Sequence, residues 1–137
     1  MLKNLLHFSD HDVDDIAVPR ADIIAIEESA PFEDYIRIFS DHGHSRIPVF
    51  RESLDTIIGM VHIKDIFPIV AKGEKHPTDI QPFLRQPLFV PESMGVLDLL
   101  ADMRTNRTHL AIILDEYSGT EGLVTIEDIV EEIVGEI

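Results

Sequence analysis

Apolar positions recur along this chain with two periods, and the same order of periods occurs twice. Asp22–Ile26 (DIIAI) is a short apolar run that predicts a strand. Pro31 can open a helix. Tyr35, Ile36 and Phe39 then fall on one face of a segment running from about Phe32 to Asp41, which stops before Gly43. Ile47–Phe50 and Thr56–Val61 predict two strands, with the polar Arg51–Asp55 as the loop joining them, and a helix follows from about Ile63. Further on, Leu88–Val90 predicts a strand, and Val96–Met103 a helix with Val96, Leu99, Leu100 and Met103 inward. Leu110–Leu114 and Gly122–Val124 predict a strand pair across the polar turn Asp115–Gly119. The last helix, Ile126–Ile137, places Ile126, Ile129, Val130, Ile133, Val134 and Ile137 on one stripe and an acidic face opposite. Lys72–Pro82 is polar, contains two prolines, and reads as a linker.

The recurrence is a repeat. GMVHIKDI (Gly59–Ile66) and GLVTIEDI (Gly122–Ile129) lie 63 residues apart. The same offset, taken without gaps, lays Ser45–Phe50 on Thr108–Ile113, Ile36 on Leu99 and Ile26 on Phe89. Two copies of this length predict a pseudo-symmetric pair packed face to face, not a solenoid.

Composition narrows the partners. With 26 acidic against 11 basic residues, the formal net charge is −15. That argues against nucleic acid, which needs clustered cations, and against anionic lipid. A single phosphate at a local Arg or helix N-terminus stays open. The absence of Cys excludes disulfides, thiolate metal sites and Cys nucleophiles and fits an intracellular protein. No apolar run reaches the ~18 residues that span a bilayer. MLKNLLHFSD has no signal-peptide character, so a soluble chain is expected.

The candidate chemistry is sparse. Thr125-x-x-Asp128 at a helix start has the form of a capping box. His7, Asp10, His11 and Asp14 offer N and O ligands, with His7 and His11 one helical turn apart, but a frayed polar terminus explains them too, and no metal is expected. Glu127, Glu131, Glu132 and Glu136 form either a solvated face, a docking face for a neighbouring domain, or a loose Mg²⁺ site. A hydrolase built on His11 and Asp12 would need a phosphate loop, a nucleophile or a second ligand cluster, and none presents itself. An enzyme is not expected.

A β-α-β-β-α unit in tandem, each last strand entering its helix through Gly-h-h-x-x-x-Asp, resembles a pair of CBS domains (a Bateman module). VPRADIIAI, HSRIPVF, FVPES and THLAIILDEYSGTEGLVTIEDIVEEIVGEI together resemble the CorC/HlyC (hemolysin-like) family of magnesium and cobalt efflux proteins. The resemblance implies an α+β (α/β-like) fold. It also implies an N-terminal tail or linker at 1–15, CBS domains at 16–72 and 83–137, each a small three-stranded sheet with two helices, and a linker at 73–82. It implies that AMP or ATP, as such or as Mg-ATP, binds between the domains as a regulatory ligand with no catalytic cofactor. It further implies a flat homodimer of CBS pairs and, in complete members, a membrane domain before the pair and a small domain after it. This chain then corresponds to the cytosolic part of an inner- or plasma-membrane transporter.

The resemblance also distributes the residues. Thr125 and Asp128 would hydrogen-bond ribose hydroxyls, a carboxylate accepting from both O–H groups of a vicinal diol. Ser45, Arg46, Ile47 and Pro48 would face phosphate and adenine, Arg46 with its planar fork. Val18, Pro19 and Ile23 would close over the base, or serve as ordinary core. Glu127 would contact the ligand or favour the helix dipole. A second, weaker cleft would use His62 and Asp65 with Thr108, His109, Leu110 and Ala111. There His62 replaces Thr or Ser and Ala111 replaces Pro, so weak or absent binding is expected. The alternative to a sensor is a structural dimerisation module with no working ligand site.

Overall fold

The computed structural model describes residues 11–134. They form two compact units: Ile24–Gln86, and the described parts of Met1–Ile23 and Pro87–Ile137 together. Each is α+β.

In the Ile24–Gln86 unit, β2 (Ile26–Glu27) pairs parallel with β3 (Arg46–Arg51), and β3 pairs antiparallel with β4 (Ser53–His62). Helix α1 (Phe32–His42) makes the crossover between the parallel strands, and α2 (Ile63–Ala71) follows β4. Phe32, Tyr35 and Phe39 face the core with Ile47, Val49, Val61 and Ile66. Gly43 ends α1 in the left-handed region at φ 67°, where glycine carries no Cβ penalty.

In the other unit, β1 (Val18–Pro19), β7 (Thr120–Thr125), β6 (Leu110–Leu114) and β5 (Leu88–Pro91) form one sheet in that order. Only β5–β6 is parallel. Helix α3 (Val96–Asn106) joins β5 to β6, and α4 (Ile126–Val134) follows β7. Val96, Leu99, Met103, Ile113, Val124 and Ile129 make the core.

Several sequence expectations change in the structure. The polar Arg51–Asp55 is not a loop: β3 and β4 run to Arg51 and from Ser53, turning on Glu52 at φ 67°. Exposed polar residues extend this hairpin because its ladder bonds do not require apolar side chains. The DIIAI strand shrinks to Ile26–Glu27, since Asp22 closes a 3-10 turn and β2 pairs with β3 only opposite Val49 and Phe50. The stripe on α4 is only half inward: Ile129 and Ile133 are buried, whereas Val130 and Val134 are exposed.

The gapless offset of 63 also fails on one side of the hairpins. Arg46 pairs with His62 and Leu110 with Thr125, while Val49 pairs with Gly59 and Ile113 with Gly122. The repeats therefore correspond at 64 residues before the hairpin and at 63 after it. The buried stripes Phe32, Tyr35, Phe39 and Val96, Leu99, Met103 keep the 64-residue spacing. The first hairpin carries two register shifts and the second carries one, which accommodates the difference. Tyr35, not Ile36, is the counterpart of Leu99, and Ile112, not Ala111, is the counterpart of Pro48.

Candidate functional site

Thr125 ends β7, and its hydroxyl accepts from the Asp128 backbone N–H at 3.2 Å. This is half of the capping box expected from Thr-x-x-Asp, and it fixes the Thr hydroxyl at the mouth of α4. The Ile126 N–H donates to the His109 carbonyl at 2.9 Å, tying the start of α4 to the strand beside it. Asp128 is half-buried and Glu127 exposed, both in the first turn of α4. Their position favours negative charge, since the helix N-terminus presents partial positive charge.

β1 brings Val18 and Pro19 beside the same strand, opposite Leu123 and Gly122. Gly122 permits this approach: a Cβ there would lie 2.9 Å from the Val18 carbonyl oxygen. Arg20 holds the segment by donating to the Thr120 carbonyl at 2.9 Å. Ile23, half-buried, follows the 3-10 turn Arg20–Asp22. Thr125, Glu127 and Asp128 thus stand together where β7 enters α4, and β1 runs antiparallel along β7 with Val18 two positions and Pro19 three positions from the level of Thr125.

In the other unit, Ser45 precedes β3 and its carbonyl accepts from the Ile63 N–H at 2.9 Å. Arg46 opens β3, half-buried, and Ile47 and Pro48 are buried. The corresponding strand and helix carry His62 and Asp65. His62 is 7% exposed, and its Nδ1 accepts from the Lys64 N–H at 3.0 Å, so the ring caps α2 as the Thr125 hydroxyl caps α4. Burial pushes the His62 imidazole below its usual range, with Arg46, Arg85 and Lys64 adding to it. Asp65 is engaged by Arg85, whose Nε and Nη2 donate to its two oxygens at 2.8 and 2.9 Å. These bonds hold the Asp65 carboxyl below its usual range. Sequence reasoning missed Arg85: it lies beyond the linker, 20 residues from its partner, and no local motif joins them.

His109 and the half-buried Thr108 lie just before β6. His109 lines a cavity of about 660 Å³ with Leu97, Leu100, Arg104, Arg107 and Ile126. A cavity of about 310 Å³ in the other unit lies at the start of α1 among Glu28, Ser29, Glu33, Tyr35 and His76. Neither contains Thr125 or Asp128.

Of the N-terminal His and Asp group, His7 and Asp10 lie outside the described residues. Asp14 instead lies with Glu92 and Glu121, carboxylate oxygens within 4.8 Å of one another, and Glu121 Oε2 is buried without a hydrogen-bond partner. This is the one such acidic group among the described residues. Glu127, Glu131 and Glu132 are exposed, and Glu136 lies outside the described residues. Among the described residues no helix is long and apolar enough to cross a membrane.

The profile of the CBS domain matches residues 13–72 and 79–135. The chain is 46% identical over 138 residues to "Hemolysin C" of Rickettsia prowazekii (strain Madrid E), an alignment covering 100% of this chain and 45% of that protein. The chain thus spans less than half the length of this curated relative. It is 39% identical to the CBS domain of a bacterial CNNM/CorC family Mg²⁺ transporter in complex with ATP, with TM-score 0.90, covering 99% of this chain and 96% of that one. It is also similar to a CBS-domain pair with bound AMP from Klebsiella pneumoniae, at 31% identity, TM-score 0.77 and coverage of 90% and 98%.

Proposed function

The chain belongs to the CBS-domain family, as a pair of the kind found in CNNM/CorC family Mg²⁺ transporters, and we propose that it is a regulatory module that binds an adenine nucleotide. The observation that carries this reading is the arrangement around β7. A hydroxyl and a carboxylate, Thr125 and Asp128, stand at one helix start, and Val18 and Pro19 lie along the same strand. Asp128 has no ion-pair partner among the described residues, so its oxygens are available to a vicinal diol. The ATP complex of the CNNM/CorC neighbour and the AMP complex of the Klebsiella pneumoniae pair support the ligand class.

In this reading Thr125 and Asp128 take the ribose. Val18, Pro19, Ile23 and Glu127 belong to the same unit, and Ser45, Arg46, Ile47 and Pro48 are the further proposed ligand contacts. The ligand is AMP or ATP, with or without Mg²⁺, and it acts by preferring one geometry of the module over another. Along the sequence the two CBS repeats are 16–72 and 83–137, joined by 73–82, while Val18–Ile23 fold with the unit of the second repeat and Phe83–Gln86 with the unit of the first. The whole protein is a membrane transporter with this module on its cytosolic side, and the role is regulation, not catalysis. Two CBS pairs associate as a homodimer, which gives a partner to exposed Phe67 and Val70 on α2 and Val130 and Val134 on α4. Sedimentation velocity tests the dimer, and a chain that stays monomeric at high concentration contradicts it. Calorimetric titration with AMP, ADP and ATP tests the nucleotide.

One observation favours the structural alternative. The Thr125 hydroxyl already accepts a backbone N–H, which accounts for it as a cap alone. The two roles are compatible, because a hydroxyl that accepts from the backbone still has its own proton to donate.

A further inference from the structure

Arg85 and Val18 occupy corresponding places. Each lies antiparallel against the last strand of a repeat, Val18 opposite Leu123 and Arg85 opposite Met60, and Met60 and Leu123 are 63 residues apart. Each crosses over the equivalent glycine. A Cβ on Gly122 would meet the Val18 oxygen at 2.9 Å and the Ala17 Cβ at 3.2 Å, and one on Gly59 would meet the Arg85 oxygen and the Leu84 Cβ, both at 3.1 Å. The backbones are equivalent and the side chains are not. Val18 has nothing to offer a carboxylate. Arg85 makes a two-pronged, charge-assisted pair with Asp65, at 2.8 and 2.9 Å, and its backbone is anchored by reciprocal 2.8 Å bonds to Met60. Asp65 is the counterpart of Asp128.

We propose that Arg85 is an internal occupant of the first repeat's ligand carboxylate. Its guanidinium takes from Asp65 the acceptor oxygens that Asp128 keeps for a ribose diol, and so makes the chain a one-nucleotide module. This rests on the nucleotide-binding reading above. A neutral diol would have to replace a bidentate ion pair with hydrogen bonds from uncharged donors, so the guanidinium competes directly for the same two oxygens. His62, standing in the place of Thr125, is the second departure in the same half: it caps with a ring and brings no hydroxyl.

The test is made in a Thr125→Ala/Asp128→Ala background, which removes the second repeat's half, with ATP and AMP as calorimetric probes. His62→Thr alone is expected to leave binding undetectable. His62→Thr with Arg85→Val, the residue found at the corresponding place, is expected to give saturable binding. Restoration by His62→Thr alone overturns the proposal, and so does a folded His62→Thr/Arg85→Val protein that binds neither probe. Folding is checked by melting. Arg85→Gln, which keeps the chain length and a hydrogen-bonding end, is scored by the same criteria if the Val variant melts out. A wild-type chain that binds no nucleotide defeats the nucleotide reading itself, which separates that failure from this one.

Discussion

Gly122 and Val18 are so close that a single methyl group would not fit between them: a Cβ on Gly122 would lie 2.9 Å from the Val18 oxygen. The segment holding Val18 and Pro19 can run beside β7 only because β7 has no side chain there. Gly122→Ala is expected to destabilise the chain by about 1–3 kcal/mol, the range for forced overpacking. Gly59→Ala, whose nearest atoms would be at 3.1 Å, should cost less. Urea denaturation of both variants checks this, and a neutral Gly122→Ala would mean that β1 is not held against the strand.

Thr125 should behave as a helix cap whether or not ligand is present. Thr125→Ala loses the oxygen that accepts the Asp128 N–H and is expected to cost about 1 kcal/mol. Thr125→Ser should keep most of that stability and the nucleotide binding as well. If Thr125→Ala melts like the wild type, the hydroxyl is not acting as a cap.

His62 should make stability depend on pH. Its folded pKa is lowered by burial, so the unfolded chain takes up a proton first as pH falls. Its contribution is therefore complete above the ordinary histidine range, near 6.5, and is lost as pH falls from there toward the lowered folded value. Many other groups titrate in this chain, so the readout is a difference. The wild type should lose more melting temperature between pH 7.5 and 5.5 than His62→Thr does, and equal losses contradict the assignment.

Tyr35 is a buried aromatic with a polar end. Its hydroxyl, donating toward the Glu27 and Glu28 carbonyls at 3.1 and 3.3 Å, fixes the turn into α1. Tyr35→Phe is expected to cost about 1 kcal/mol by chemical denaturation. A larger loss would mean that the ring itself had shifted.

Much of this architecture is readable from periodicity and repetition. The two helix–strand–strand–helix stretches follow from apolar spacing, and the matching octapeptides mark corresponding strand ends. Local sequence failed where tertiary pairing decides. Arg51–Asp55 is polar and still strand, because an exposed hairpin needs backbone partners more than apolar faces. The one-residue shift between repeats depends on how each hairpin absorbs its bulges, which the gapless comparison of Ser45–Phe50 with Thr108–Ile113 could not reveal. At the site, Thr125 and Asp128 stand out as a motif. Arg85 does not, because its role comes from the segment just after the linker, which lies across the strand that leads to its partner, a long-range contact with no sequence pattern.

A working nucleotide site at Thr125 and Asp128 underlies the proposed function. The most direct measurement is calorimetric titration of AMP, ADP and ATP, each with and without Mg²⁺, into the purified chain and into the Thr125→Ala/Asp128→Ala variant. A matching rise in melting temperature should accompany any true ligand of the folded state. Saturable binding of about one nucleotide per chain is expected, lost in the variant while it stays folded. Folded wild-type protein that binds none of the three would contradict it, leaving Thr125 as a helix cap in a structural module.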